Sequence, residues 1–199
     1  MQIEFKNKKN NFDKRSTLKE FMDPTQRAWI EIRGAAIENN IRKIKSLLSE
    51  QCKFMAVVKA DGYGHDATFV SKYAIKGGAD QLGVATLCEG ISLRNAEVKI
   101  PILVLGNIYN KKDLLTCFRY DLMPTISSFR ECLICNNIGK SYNKKFSFHL
   151  KVDTGMSRLG FELKDFIQQF DKIASYENIA IKGIYSHLAS ADEDNALDQ

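Results

Sequence analysis

The stretch FMAVVKADGYGHD, Phe54 to Asp66, decides the fold. Its apolar run, Phe54 to Val58, has the length of a buried strand. It ends in Lys59 and breaks into a turn bracketed by Gly62 and Gly64, after which Ala67 to Lys76 has helical length. Strand, glycine turn and helix make the first part of a βαβ unit. A strand interior has no use for an ammonium ion, so Lys59 belongs at the strand's end. Desolvation at such a place lowers a lysine's pKa and leaves a nucleophilic amine, the form that condenses with carbonyl compounds. The plain alternative is a lysine whose stem lies along a strand edge and whose head reaches water.

The same rhythm continues outward from this unit. Short apolar runs recur at Gln81 to Thr86, Pro101 to Gly106, Leu122 to Ile126, Phe146 to Val152 and Ile181 to Leu188. Segments of helical length separate them at Glu89 to Ala96, Lys111 to Tyr120, Ser127 to Ile138 and Leu163 to Tyr176. Six strands alternating with helices predict an α/β fold with a parallel sheet. A doubly wound open sheet and a (β/α)8 barrel both meet that description. Lys59 with Asp61, Lys151 with Asp153, and His187 all fall just past the C-terminal ends of runs. A barrel brings such ends to one mouth, whereas an open sheet strings them along a line, so three chemistry-bearing ends favour the barrel.

Ahead of the first run, RAWIEIR alternates like a short strand, and the next segment sets Ile37, Ile41, Ile44, Leu47 and Leu48 on one helical face. Residues 1 to 24 are polar, rich in lysine and asparagine, and without periodicity, which predicts a flexible extension. They carry six basic and four acidic side chains, so the net charge of +5 leaves only +3 for the rest, too little to argue for nucleic acid. No apolar run approaches membrane-spanning length and the first residues have no apolar signal core, which predicts a cytoplasmic protein with no membrane partner. Five cysteines without framework spacing fit reduced thiols. Cys132 and Cys135 form a CxxC, but they lie on a predicted helix with no second pair or histidine nearby, so they read as core residues. The three histidines form no HExxH or HxH pair, and no metal site is expected.

GYGHDA, Gly62 to Ala67, also fits the dinucleotide fingerprint GxGxxG/A. That fingerprint wants an acidic residue about 20 positions on, at the end of the second strand. Asp80 lies before that strand and Glu89 after it, and the nicotinamide reading leaves Lys59 unexplained. The same glycines beside the Tyr63 hydroxyl offer amides at a helix start that could cradle a phosphate, so pyridoxal phosphate and nicotinamide both stay open at this point. A second constellation, HLKVDTGMSRLG from His149 to Gly160, delivers Lys151 and Asp153 from a strand and throws Arg158 back across its end. Arginine is the natural partner of a carboxylate or phenolate oxygen, though a structural ion pair is its plain alternative. In IKGIYSHLASADE, His187 arrives at the last strand end, where a packed core histidine is the plain reading.

Together AVVKADGYGH (Ala56 to His65), HLKVDTGMSRLG and IYSHLASADE (Ile184 to Glu193) resemble bacterial alanine racemase, and RAWIEIRGAAIENNIR resembles that family's opening. The likeness runs from Arg27 to Glu193, which makes residues 25 to 199 a partial barrel domain. The resemblance implies a pyridoxal-phosphate enzyme that interconverts L- and D-alanine with two bases and supplies D-alanine for peptidoglycan. It implies that Lys59 holds the cofactor and serves as one base, that Tyr63 donates to the cofactor phosphate, and that Arg158 faces the phenolic oxygen and the substrate carboxylate. Lys151 falls where many members carry a carbamylated lysine that orients the arginine, and His187 where a histidine supports the second base. The resemblance further implies a homodimer. Asp66 stands where the family more often has glycine, placing an extra negative charge near the expected phosphate.

A barrel of this kind typically needs about 250 residues. After the sixth run the sequence stops, so about six of eight strands are expected, an incomplete (β/α)8 barrel with an open parallel edge. The family's C-terminal β domain, with the tyrosine that serves as the other base, is expected to be absent, leaving a fragment with little activity alone. A non-catalytic pyridoxal-phosphate-binding protein, or a racemase of another small amino acid, is the alternative.

Overall fold

The computed structural model describes Ile3–Phe5 and residues 30–191. Ile3–Phe5 forms β1, which pairs in parallel with β2 (Ile30–Ile32) in a two-stranded sheet, Ile3 opposite Ile30. Of residues 1 to 24, expected as a flexible extension, only these three are described, and the rest lies outside the described residues. Helix α1 (Gly34–Ser46) follows and packs on α3 (Ala67–Gly77). Small residues permit the approach: a Cβ on Gly77 would lie 2.9 Å from Cβ of Ile41.

The main sheet contains β3 (Met55–Val57), β4 (Gln81–Val84), β5 (Ile102–Asn107), β6 (Met123–Ile126), β7 (Phe146–Asp153) and β9 (Ile179–Tyr185). All pairings are parallel, and the order is β3-β4-β5-β6-β7-β9. The two-residue β8 (Phe161–Glu162) adds beside Val152 and Asp153 at the end of β7. A doubly wound sheet reverses its order at a switch point. This sheet advances in one direction throughout, which is barrel winding. Among the described residues no pairing joins β9 back to β3, so the barrel is unclosed.

Helices α4 (Leu87–Asn95), α5 (Lys111–Arg119), α6 (Phe129–Ser141) and α7 (Leu163–Ala174) cover the outer face. Side-chain oxygens of Asp66, Thr86, Asn110 and Ser128 cap α3 through α6 by accepting from the third amide of each helix, which sets where each one starts. One core cluster joins Val58, just past β3, and the strand residues Leu82, Val84, Ile102, Val104, Ile126, Phe148 and Leu150 to Leu93, Leu114, Cys132 and Cys135 of the helices. Strand side chains alternate, so the intervening residues Thr125, His149 and Lys151 face the barrel axis. Both CxxC sulfurs are fully buried, and burial pushes the Cys132 thiol up to about 12 and Cys135 higher still. No described helix is long and apolar enough to cross a membrane.

Candidate active site

Lys59 lies two residues past β3, in the short turn α2 (Lys59–Gly64), and is half-buried. The turn is left-handed: Ala60, Asp61, Gly62 and Tyr63 have φ of 51, 53, 62 and 56°. Three of the four carry a Cβ, and each such residue costs about 1–2 kcal/mol in this conformation. Hydrogen bonds offset the cost. His65 Nδ1 donates to the carbonyl of Tyr63 at 2.9 Å, Asp61 Oδ1 accepts from Ala67 N at 2.8 Å, and Glu89 Oε1 accepts from Ala60 N at 2.7 Å. The run expected as a strand over Phe54 to Val58 is thus regular only over Met55–Val57, and the chain reverses its hand just past the lysine. Among the described residues no hydrogen bond or ion pair engages Lys59 Nζ.

Two of the amides at the start of α3, expected to be open to a phosphate, are taken by side chains of the chain itself. Asp61 takes the amide of Ala67, and Asp66, the N-cap at φ 62°, takes that of Phe69 at 2.8 Å. Two carboxylates already satisfy this helix end, so an incoming anion would meet negative charge. Tyr63 is 60% exposed, and its hydroxyl is open to solvent.

At the end of β7 the chain makes a tight loop. Asp153 Oδ1 accepts from Gly155 N and Ser157 N and its Oδ2 from Arg158 N, each at 3.0 Å. The amides of Gly155 and Ser157 hold the Asp153 carboxyl below its ordinary range, with those of Arg158 and the Lys151 charge adding to them against desolvation. Gly160 closes the loop at φ 135°; a Cβ there would lie 2.4 Å from Asp153 N, so no larger residue fits. The closure presents the Leu159 carbonyl to Lys151, whose Nζ donates to it at 2.7 Å. Lys151 is only 5% exposed, and its ammonium lies 5.8 Å from the centre of the Tyr185 ring. Burial pulls its pKa down, Arg158 adds to that, and Asp153 opposes it. Arg158 itself is exposed, with no side-chain hydrogen bond or ion pair among the described residues.

Beneath this rim, Thr125 Oγ1 donates to the Val104 carbonyl at 2.7 Å and lies 2.7 Å from the Tyr185 hydroxyl. The threonine proton is committed to the carbonyl, so the tyrosine is the donor between the two hydroxyls. His149 stands against Tyr185, ring to ring at 6.3 Å, and against Gly183, where a Cβ would meet the imidazole at 2.7 Å. Burial lowers the His149 pKa and raises that of Tyr185, the Thr125 bond opposing the latter shift. His187 lies two residues past β9 and is exposed; a hydrogen bond between Thr154 Oγ1 and Ser186 Oγ ties its segment to the Arg158 loop.

Lys59, Lys151, Arg158 and His187 therefore all sit at the C-terminal end of one barrel-wound sheet, with Lys151 and Arg158 close enough to influence each other. No hydrogen bond or ion pair joins Lys59, Arg158 and His187 to one another among the described residues. Sequence reasoning missed Thr125 and Tyr185; it placed Asp153 at its strand end without the loop amides it accepts from, and weighed Glu89 only as a ribose ligand. Tyr185 stands two residues before His187, so the strand period placing both on one face was the available signal. A cavity of about 220 Å³, lined by Lys99, Lys144, Lys145 and Lys182, opens at the opposite end of the strands, among the residues that start β6 and β7. It is away from this chemistry.

A profile described as alanine racemase, N-terminal domain, matches residues 32–199. The alanine racemase of Prochlorococcus marinus is 53% identical to the chain, over 86% of this chain and 44% of that protein. That of Synechocystis is 40% identical, over 85% and 46%. A solved alanine racemase structure from Clostridium difficile 630 superposes with a TM-score of 0.75 at 35% identity, over 80% of this chain and 42% of that one. The chain spans less than half the length of these relatives. With its barrel winding and the matched motifs, the chain belongs to the alanine racemase N-terminal-domain family.

Proposed function

We propose that this chain is the cofactor-holding half of a pyridoxal-phosphate-dependent alanine racemase, with Lys59 as the cofactor lysine. What supports the reading is the unengaged amine of Lys59 at the C-terminal mouth of a barrel-wound sheet, in a chain of this family. The residues fit the cofactor. Lys59 offers an amine for its aldehyde carbon, the exposed Tyr63 hydroxyl a donor for its phosphate, and Arg158 a cation for its phenolic oxygen. Pyridoxal phosphate, when bound, supplies the electron sink that makes the α-proton of an amino acid removable.

In this reading the Lys59 amine accepts or returns the α-proton from one face, and a base outside the chain serves the other, because inversion needs both faces. Arg158 binds the substrate carboxylate and fixes the amino acid with its α-carbon toward Lys59. Lys151, once carbamylated, bears a carboxylate that orients Arg158, and His187 supports the opposite base. For the whole protein the proposal extends to alanine as substrate, a cytoplasmic homodimer and D-alanine supply for peptidoglycan. Incubating the chain with pyridoxal phosphate, reducing with borohydride and mapping the peptides tests it. Label on Lys59 is expected, with racemisation of L-alanine far below that of full-length relatives; label elsewhere sinks the reading.

A further inference from the structure

Glu89 does more than cap its helix. It is the third residue of α4, and with Thr86 it forms a capping box: Glu89 N donates to Thr86 Oγ1 at 3.3 Å, while Oε2 accepts from Thr86 N at 2.9 Å and from Ala85 N at 2.7 Å. One carboxylate oxygen completes that motif. The other, Oε1, crosses to the neighbouring βα unit and accepts from Ala60 N at 2.7 Å, 29 residues away in sequence. Ala60 directly follows Lys59 and is the first residue of the left-handed turn.

The plane of the Lys59–Ala60 peptide depends on ψ of Lys59 and φ of Ala60. An acceptor fixed by its own helix and aimed at that N–H fixes the plane, and so the direction in which the Lys59 side chain leaves the backbone. Local propensity does not hold the turn, since Ala60, Asp61 and Tyr63 are all disfavoured at positive φ. We infer that Glu89 is the positioning residue of Lys59: its second oxygen holds the amine toward the barrel mouth. The inference rests on the proposed role of Lys59 as the cofactor lysine.

Two variants separate positioning from capping. In Glu89→Gln the remaining oxygen still serves the capping box, which accepts glutamine, but an NH2 group now faces the Ala60 N–H. In Thr86→Val the cap hydroxyl is lost and the bridge to Ala60 stays. Trace acetylation with limiting acetic anhydride, scored as Lys59 relative to the exposed Lys72 of α3, reads the lysine without any cofactor. The rate of borohydride-trapped pyridoxal phosphate at Lys59 reads it with one.

Glu89→Gln is expected to change the acetylation ratio about threefold or more and to slow trapping about tenfold, with its melting temperature close to the parent's. Thr86→Val is expected to melt lower and to leave both lysine readouts unchanged. An unchanged acetylation ratio in Glu89→Gln, or an equal change in Thr86→Val, overturns the inference. If the parent traps no cofactor at Lys59 while its acetylation still responds to Glu89→Gln, the cofactor reading fails and the positioning of Lys59 by Glu89 stands.

Discussion

Lys151 donates its only protein hydrogen bond among the described residues to the carbonyl of Leu159, at 2.7 Å, from a position 5% exposed to solvent. One carbonyl is a thin partner for a buried ammonium, which has three donors to satisfy. Because burial lowers its pKa below 10.5, the folded state releases this proton more readily than the unfolded chain does. The stability contributed by Lys151 is therefore fullest above pH 10.5 and declines as pH falls through that window. Lys151→Met is expected to melt no lower than the parent at pH 7 and to flatten the alkaline part of the stability profile in pH-dependent thermal scans. A neutral amine is also the form that takes up carbon dioxide. Labelled bicarbonate should give a carbamate carbon resonance that Lys151→Met lacks.

The Arg158 loop should depend on a single carboxylate. Asp153→Asn keeps one acceptor oxygen where three amides now converge on two. Hydrogen exchange at the Ser157 and Arg158 amides is expected to accelerate about tenfold, while the amides of β5 keep their protection. The folded pKa of Asp153 is depressed, so the loop's protection is present above the ordinary carboxylate value of 3.8 and is lost as pH drops through the lower, folded value.

His149 supplies the acid limit on the other side of neutrality. Burial puts its pKa below 6.5, so the unfolded chain takes up the proton first; its stability contribution is complete above pH 6.5 and falls away below it. Urea unfolding at several pH values should show that slope in the parent and lose it in His149→Gln. Gly183→Ala drives a methyl to 2.7 Å from this ring and is expected to cost about 1–3 kcal/mol at any pH, readable in the same titrations.

Thiol counting tests the core reading of the CxxC. Cys52 and Cys88 are exposed and Cys117, Cys132 and Cys135 are buried, the Cys117 and Cys132 thiols pushed up to about 12. A thiol reagent at pH 8 should consume two groups in the native chain and five in denaturant. Rapid reaction at Cys132 would overturn the assignment.

The strand and helix alternation was legible because the apolar runs are short and, from β4 to β7, mostly buried, while the helices α3 to α6 between them open on polar caps. The last strand was read from Ile181 to Leu188 but runs Ile179–Tyr185. Its pairing with β7 begins at Ile179 opposite Phe146, a tertiary register that no local pattern announces. The positions of Lys59, Lys151, Arg158 and His187 at strand ends were legible for the same reason as the strands. What sequence hid was the support around them. The left hand of α2 falls on Ala60, Asp61 and Tyr63, where propensity argues against it, and its supports come partly from Glu89 in another unit. Sequence also hid that Asp61 and Asp66 spend their carboxylates on the Ala67 and Phe69 amides at the start of α3.

The one-directional strand order also sets how such a domain can be made. From β3 to β7 each principal strand pairs with the one synthesised just before it, and β9 adds beside β7. From β4 onward each described strand of the main sheet leaving the ribosome finds its partner edge already in place. Growth of the sheet can thus keep pace with translation, one unit at a time, with the Lys59 turn laid down on the founding strand and locked when α4 brings Glu89 to it.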